Sequence, residues 1–226
     1  MKEIRALLFD FGGTLDGNGI HWRERTYQFI QDQWPEIDRE AFDQADLASV
    51  ERFIASRRGP QCNLRETADA IAAGIFVRLG LHPSLIARYV GLFCEGVAES
   101  LARNRKWLAK LGAHYQLGVI SNNFGNTQGW CDEYELSPHL DLVIDSAVVG
   151  ISKPDAGIFH IALAELDVSP QAAIYVGDTY SHDMVGAKGA GMWTAWLVGE
   201  QAKECPDPSI IDVHLTEIQE LDQFLG

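Results

Sequence analysis

The chain has 226 residues, of which 46% are hydrophobic, and carries a formal net charge of -14 at pH 7. This length and apolar content suffice for one large α/β domain or for a core with a smaller inserted domain. The negative charge disfavours binding to nucleic acid and anionic membranes, so an anionic substrate would need local positive charge at its site. The four cysteines are far apart and form no C-x-x-C pair, which argues against a zinc site and a disulfide framework.

The N-terminal residues do not have the pattern of a secretory leader. Lys2, Glu3 and Arg5 are charged, and the first apolar run ends after a few residues at Asp10. No later stretch approaches the roughly 20 apolar residues that span a bilayer. We therefore expect a cytoplasmic protein with reduced thiols that binds neither membranes nor nucleic acid.

The first chemically informative stretch is IRALLFDFGGTLD, from Ile4 to Asp16. A short apolar run that stops at Gly-Gly predicts a buried strand leading into a tight loop. Asp10 then lies at the carboxyl end of that strand, where ligands bind in open α/β sheets. This stretch alone leaves open whether Asp10 is a functional carboxylate or only caps a turn.

A long region from about Ile20 to Glu99 has helical periodicity and no convincing strand. Breaks at Trp34-Pro35, Arg58-Gly59-Pro60 and Leu81-His82-Pro83-Ser84 divide it into four or so helices. Its basic residues are all arginines, whose planar fork suits phosphate or carboxylate. Candidates for substrate contact are therefore Arg23, Arg25, Arg57 and Arg58. For any single one of them, a solvated surface charge is the favoured interpretation.

Strands and helices alternate after residue 100. Apolar strands are predicted at 115–120, 141–145, 172–176 and 192–198, and helices at 102–112, 127–135, 155–166 and from about 181 to 191. A short terminal helix has Ile218, Leu221 and Leu225 on one face. This alternation predicts a mostly parallel, doubly wound sheet.

Polar residues follow several of these strands or lie on adjoining loops: Asp10, Ser121, Lys153, and the pair Asp178 and Asp183. In a parallel sheet the carboxyl ends of the strands share one edge. Such a set suits an aspartate that attacks a phosphoryl group while a hydroxyl and an ammonium hold its oxygens. Asp10 and Asp178 would hold a divalent cation, and Mg²⁺ fits best because it takes few carboxylates and bridges to phosphate oxygen.

With these motifs in this order, the whole chain resembles the haloacid dehalogenase (HAD) superfamily. The four motifs are Asp10-Phe11-Gly12-Gly13-Thr14-Leu15, Ser121-Asn122, Lys153-Pro154, and Gly177-Asp178-Thr179 with Asp183. The resemblance implies a Rossmann-like core, residues 1–16 and 100–226, with an all-helical cap, residues 17–99, inserted after the first motif.

The resemblance also implies a role for each motif residue. Asp10 would be the nucleophile, and Ser121, Asn122, Lys153 and Thr14 would bind phosphate. The Mg²⁺ ligands would be Asp10, the Gly12 carbonyl and Asp178, and Asp183 would orient metal-bound water.

Gly12 departs from the pattern of the family's phosphatases, which usually carry a second aspartate two residues after the nucleophile. That aspartate protonates the leaving group and then activates water, a contribution of ~10² to 10⁴ in rate. Asp16 and His21 are candidates for a substitute acid/base. The plainer interpretations are a loop cap for Asp16 and a hinge residue for His21.

Two branches of the family also lack the second aspartate. Phosphonoacetaldehyde hydrolases need a cap lysine, and this insertion contains no lysine. Haloacid dehalogenases have an aromatic residue at the position of Gly12 and lack the metal-binding aspartate of the fourth motif, whereas Asp178 and Asp183 are both present. The first branch is excluded and the second is disfavoured.

The sequence therefore predicts a Mg²⁺-dependent phosphohydrolase that acts on a small phosphorylated metabolite through an aspartyl-phosphate on Asp10. The alternative is a catalytically weak, phospho-ligand-binding or regulatory protein. A 2-haloacid dehalogenase comes third. We expect a monomer or homodimer.

Overall fold

The computed structural model describes residues 4–200 and 203–225, so Lys2 and Glu3 lie outside the described residues. Its described part contains one six-stranded sheet, in the order 3-2-1-4-5-6, in which all neighbouring strands are parallel. The strands are β1 (Ala6–Phe9), β2 (Gln116–Ser121), β3 (Leu142–Asp145), β4 (Ala173–Gly177), β5 (Trp193–Leu197) and β6 (Val213–Leu215). The predicted α/β fold with a parallel sheet is confirmed.

The central strand β1 is fully buried, as expected of a parallel sheet covered on both faces. Alternate side chains enter different cores, because successive residues of a strand point to opposite faces. Leu7 and Phe9 join one apolar cluster, where the ring of Phe9 lies 5.7 Å from that of Trp107. Leu8 joins a second cluster, which contains Phe159. The two cores hold the carboxyl end of β1, and therefore Asp10, in a fixed position.

Four helices follow the loop after β1, as the spacing of apolar residues predicted. They are α1 (Trp22–Gln33), α2 (Arg39–Ala55), α3 (Leu64–Arg78) and α4 (Ile86–Leu111). Asp38 caps α2 through its side chain, and Asn63 begins α3 with a capping box that includes Glu66. A small apolar cluster that includes Phe42 and Phe76 joins three of these helices.

The helix predicted at 102–112 is not a separate element, because it forms the last part of α4. Val97, Leu101 and Leu108 keep the helical spacing of buried side chains across residue 100. Neither glycine nor proline occurs between 97 and 111 to end the helix. The boundary expected between the cap and the core, at 99/100, therefore falls inside one continuous helix. The division into 17–99 and the remainder stays a prediction.

The second half contains shorter helices between the strands: α5 (Thr127–Glu133), α6 (Ser146–Val149), α7 (Ala156–Glu165) and α8 (Val185–Gly189). The predicted terminal helix is a 3₁₀ segment, Ile218–Gln223. The sequence-based prediction missed β6, which has only three residues, the middle one exposed.

The four cysteines are free thiols, three of them buried and Cys205 partly exposed. Within 4–200 and 203–225, none of the helices combines the length and apolar character that crossing a bilayer requires.

Candidate active site

The parallel topology brings the predicted polar residues to one edge of the sheet. Asp10 follows β1, Ser121 ends β2 and Asp178 follows β4, while Lys153 lies on the loop before α7 and is joined to Pro154 by a cis peptide bond. All four residues are almost completely buried. Together with Asp183 they form a compact polar centre, which we call the polar cleft.

The ammonium group of Lys153 lies at the middle of this centre. Its Nζ donates to Asp10 Oδ1 and to Asp183 Oδ1, each at 2.7 Å, and to the hydroxyl of Tyr175 at 2.9 Å. Burial lowers the pKa of Lys153, but the two carboxylates outweigh this effect and the pKa is raised. Lys153 is therefore a cation at neutral pH, paired with two of the three carboxyl groups of the cleft.

The carboxyl groups of the cleft are crowded and desolvated. Burial raises the pKa of Asp10 well above its usual range; Lys153 opposes this shift, and Asp183 and Asp178 add to it. Burial also raises the pKa of Asp178, against the opposing effects of His21 and Lys203. Bringing further positive charge into the cleft would favour the ionised form of both groups.

A divalent cation fits the donor set of the cleft. One carboxylate oxygen from each of Asp10, Asp178 and Asp183 can be chosen so that all three lie within 4.8 Å of one another. These are hard oxygen donors of the kind that Mg²⁺ prefers. The chain passes close to this set at Gly13, whose φ is +88° and where an added Cβ would lie 2.6 Å from Asp178 Oδ1. Only glycine leaves room for the Asp178 carboxylate there.

The predicted phosphate-binding residues differ in their availability. Within the described residues, the Ser121 hydroxyl makes no hydrogen bond and is free to bind a ligand. The Asn122 side chain is engaged with the backbone of Lys153, donating to its carbonyl at 2.9 Å and accepting from its N–H at 2.8 Å. Thr14 is fully buried and donates to Asp178 Oδ1 at 3.4 Å. Ser121 thus has a free hydroxyl, whereas the Lys153 ammonium already donates to three acceptors and Asn122 holds the lysine loop.

A cavity of about 60 Å³ opens over Asp10. It is lined by Asp10, Gly12, His21, Ser121, Asn122, Lys153, Thr179, His182 and Asp183. His21 faces this cavity, and its Nδ1 also accepts from the Arg23 N–H at 3.3 Å at the start of α1.

Asp16 is fully buried and lies at the centre of a clamp rather than on the cavity wall. Its carboxylate accepts from the Gly13 N–H at 2.6 Å, from Arg25 Nη2 at 2.9 Å and from the indole of Trp22. This is the loop-capping arrangement that the sequence offered as the plainer interpretation. Of the two candidates for a substitute acid/base, only His21 lines the cleft.

The four candidate arginines of the insertion have separate environments. Arg23 lines a larger cavity next to the cleft and pairs with Asp43 and Asp46. Arg25 belongs to the Asp16 clamp. Arg57 and Arg58 are exposed, as expected of solvated surface charges.

Sequence reasoning missed Tyr175 and Lys203. The Tyr175 hydroxyl donates to the Ile120 carbonyl at 2.9 Å and accepts from Lys153, so it ties the lysine to β2. A tyrosine inside an otherwise apolar strand was the available signal, because a buried phenol needs a hydrogen-bond partner. Lys203 donates to the Asp178 carbonyl at 2.8 Å. Its loop carries no pattern that would have indicated this contact.

A haloacid dehalogenase-like hydrolase family model matches residues 4–191. Among curated relatives, haloacid dehalogenase-like hydrolase domain-containing protein 3 of Bos taurus is 33% identical over 43% of this chain and 38% of its own length. Glyceraldehyde 3-phosphate phosphatase of Methanothermobacter thermautotrophicus is 38% identical over 40% of each chain. The matched segments thus span about two fifths of these relatives.

Similarity to solved structures extends over the full length. The HAD-hydrolase YfnB of Bacillus subtilis, in a crystal form bound to magnesium, superposes with a TM-score of 0.64 at 18% identity and covers 100% of both chains. At this level of identity the similarity establishes the fold.

Proposed function

Because this chain belongs to the haloacid dehalogenase-like hydrolase family, we propose that it is a Mg²⁺-dependent phosphohydrolase that acts on a small phosphorylated substrate through Asp10. The observation that carries the proposal is the 2.7 Å contact between Lys153 Nζ and Asp10 Oδ1 inside the carboxylate cluster. This contact holds a cation beside a carboxylate at the end of a strand. Transfer of a phosphoryl group needs both, a carboxylate to attack phosphorus and a cation to offset the negative charge. Relatives named as phosphatases support the choice of reaction.

Lys153 orients the nucleophile. It holds Oδ1 of Asp10, while Oδ2 makes no hydrogen bond among the described residues and is free to attack phosphorus. The Ser121 hydroxyl would bind a non-bridging phosphate oxygen, and the Lys153 ammonium would bind another by exchanging one of its three present acceptors for it. Asp10, the Gly12 carbonyl and Asp178 would hold Mg²⁺, which supplies the charge that lets an anionic substrate approach these carboxylates.

Gly12 has no carboxyl group that could protonate the leaving group, so proton transfer is the step that this cleft supports least. General acid catalysis contributes ~10² to 10⁴ in rate, and its loss matters least when the leaving group is a weak base. We therefore expect acyl and aryl phosphates to react faster than alkyl phosphates. His21, which lines the cleft, is the candidate to supply part of the missing function.

The test is release of inorganic phosphate from acetyl phosphate and p-nitrophenyl phosphate by the purified protein. We expect turnover with millimolar Mg²⁺, none with EDTA, and none for Asp10→Asn with Mg²⁺. The exposed substitution Asp69→Asn, on α3, is the matched control and should behave as the wild type. Phosphate release that is equal in the Asp10→Asn variant would overturn the proposal.

A second candidate, favoured by Gly12, is a phospho-ligand-binding protein with little turnover. Tight phosphate binding by calorimetry together with no hydrolysis of either substrate would support it. Dehalogenation is disfavoured, because Asp178 and Asp183 complete a carboxylate cluster beside Asp10. Metal-independent chloride release from 2-chloropropionate would instead support dehalogenation.

A further inference from the structure

A second cavity, of about 270 Å³, adjoins the polar cleft. Gly12, His21, Ser121 and Asn122 line both spaces, so the two lie side by side. A phosphate placed at Asp10 would direct its ester substituent toward this second cavity, which we call the side pocket.

The wall of the side pocket is mainly apolar and aromatic. Trp22 and Trp130 stack with ring centroids 5.2 Å apart and 14° between their planes. Ile71 and Ala72 from α3 and Tyr89 from α4 also contribute to the lining. A flat apolar group would therefore find complementary surfaces on several sides.

Most of the polar groups in this wall have partners within the protein, although the Ser121 hydroxyl and Arg23 Nε make no hydrogen bond among the described residues. The hydroxyls of Thr26 and Tyr89 lie 2.6 Å apart, and Thr26 Oγ1 donates to the Trp22 carbonyl at 2.9 Å. The charges also occur as a pair, with Arg23 Nε 3.4 Å from Asp46 Oδ2. The hydroxyls of a sugar would lose water on entry and find few free partners here.

We propose that the substrate is an aryl phosphate monoester whose single ring occupies the side pocket while its phosphate lies at Asp10. This inference rests on the proposed phosphohydrolase function. A volume of about 270 Å³ lies below the range of roughly 300–1,000 Å³ typical of pockets for drug-sized ligands, so it suits one ring with small substituents.

Gly12 supports the same substrate class by a separate argument. A phenol has a pKa of about 10, so its oxyanion leaves with less help from an acid than an aliphatic alkoxide does. In the first step Asp10 Oδ2 bonds to phosphorus, the bond between phosphorus and the aryl oxygen breaks, and the aryloxide departs with the electron pair. Water then attacks phosphorus, which restores the carboxylate and releases inorganic phosphate and a proton, and the aryloxide takes up a proton.

The first test measures binding without chemistry. Benzylphosphonate and methylphosphonate are compared as competitive inhibitors of acetyl phosphate hydrolysis, because both carry the anionic group and only one carries a ring. We expect benzylphosphonate to bind at least about tenfold more tightly, as burial of part of a ring would provide.

The second test fills the side pocket. Ala72→Leu should raise the KM for phenyl phosphate about tenfold more than the KM for acetyl phosphate, because the small acyl group needs no pocket. Ala73→Leu makes the same change on the next residue of α3, which does not line the pocket. It should leave the KM values for both substrates unchanged. Val50→Phe, which also enters the pocket, repeats the test if Ala72→Leu fails to fold.

The outcomes separate the two levels of the proposal. If acetyl phosphate is not hydrolysed, the phosphohydrolase function itself fails. A different result is that acetyl phosphate is hydrolysed, but the two phosphonates bind equally and filling the pocket leaves the KM for phenyl phosphate unchanged. In that case the proposed aryl substrate is wrong, while the proposed phosphohydrolase function is retained.

Discussion

The indole nitrogen of Trp22 donates a hydrogen bond to the carboxylate of Asp16. The same indole lies 3.7 Å from the position that a Cβ on Gly12 would occupy. Trp22 therefore connects the loop after β1 to the first helix of the insertion, at the place where the missing acid/base would stand.

Asp16 should stabilise the fold without taking part in proton transfer. Asp16→Asn removes the fully buried negative charge that pairs with Arg25, whose side chain is 18% exposed. We expect the free energy of unfolding to fall by about 3 kcal/mol, the low end of the range for breaking a buried pair, because Arg25 retains some contact with water. Chemical denaturation measures this, with Asp69→Asn as the exposed control. Lost activity at unchanged stability would instead make Asp16 the substitute acid/base.

Gly12→Asp should restore proton transfer. The backbone at Gly12 has φ -74° and ψ 116°, which an L-residue adopts readily, and a Cβ there makes only ordinary van der Waals contact with Trp22. We expect kcat for alkyl phosphates to rise, by up to ~10² to 10⁴, and kcat for p-nitrophenyl phosphate to change far less. Gly12→Asn has nearly the same shape and no acid, so it is the control. Equal effects of both variants would show that acid catalysis is not what position 12 lacks.

Tyr175 should position Lys153. Tyr175→Phe removes one acceptor from the lysine ammonium and leaves the Ile120 carbonyl without its donor. We expect kcat/KM for acetyl phosphate to fall about tenfold and the free energy of unfolding to fall by about 1–3 kcal/mol. Tyr134→Phe removes a hydroxyl that makes no hydrogen bond within the described residues, so it should change neither quantity. A purely structural role would lower stability and leave kcat/KM intact.

Mg²⁺ should stabilise the protein, because the carboxylates of Asp10, Asp178 and Asp183 repel one another without it. Thermal unfolding should shift upward with Mg²⁺, by an amount that corresponds to about 2.7 kcal/mol at a hundred times the Kd. Asp178→Asn should lose most of this shift, and Asp69→Asn, which is exposed, should keep it. An undiminished shift in Asp178→Asn would place the ion elsewhere.

The sequence predicted the elements whose physical signals are local. The apolar runs of β1, β2 and β4 end at Asp10, Ser121 and Asp178, and parallel pairing alone suffices to bring those ends together. The breaks at Pro35, Gly59-Pro60 and Pro83 similarly divided the insertion into its helices.

Other features depend on tertiary contacts that have no local signal. The Asn122 amide bonds the Lys153 backbone, a contact across 31 residues. Asp183 shares the Lys153 ammonium with Asp10, a contact that the role expected for Asp183, orienting metal-bound water, does not include. The short strand β6 forms because it pairs with the edge of β5. Its three residues are too few to show the alternation of apolar and polar side chains that indicates a strand.

The most direct test of the account is to trap the acyl phosphate that attack by Asp10 would create. Borohydride reduces an aspartyl phosphate to homoserine, so protein quenched during turnover of p-nitrophenyl phosphate is reduced, digested and sequenced by mass spectrometry. We expect homoserine at position 10 in the wild-type protein, dependent on both substrate and Mg²⁺. Continued phosphate release with an unmodified Asp10 in every peptide would contradict it.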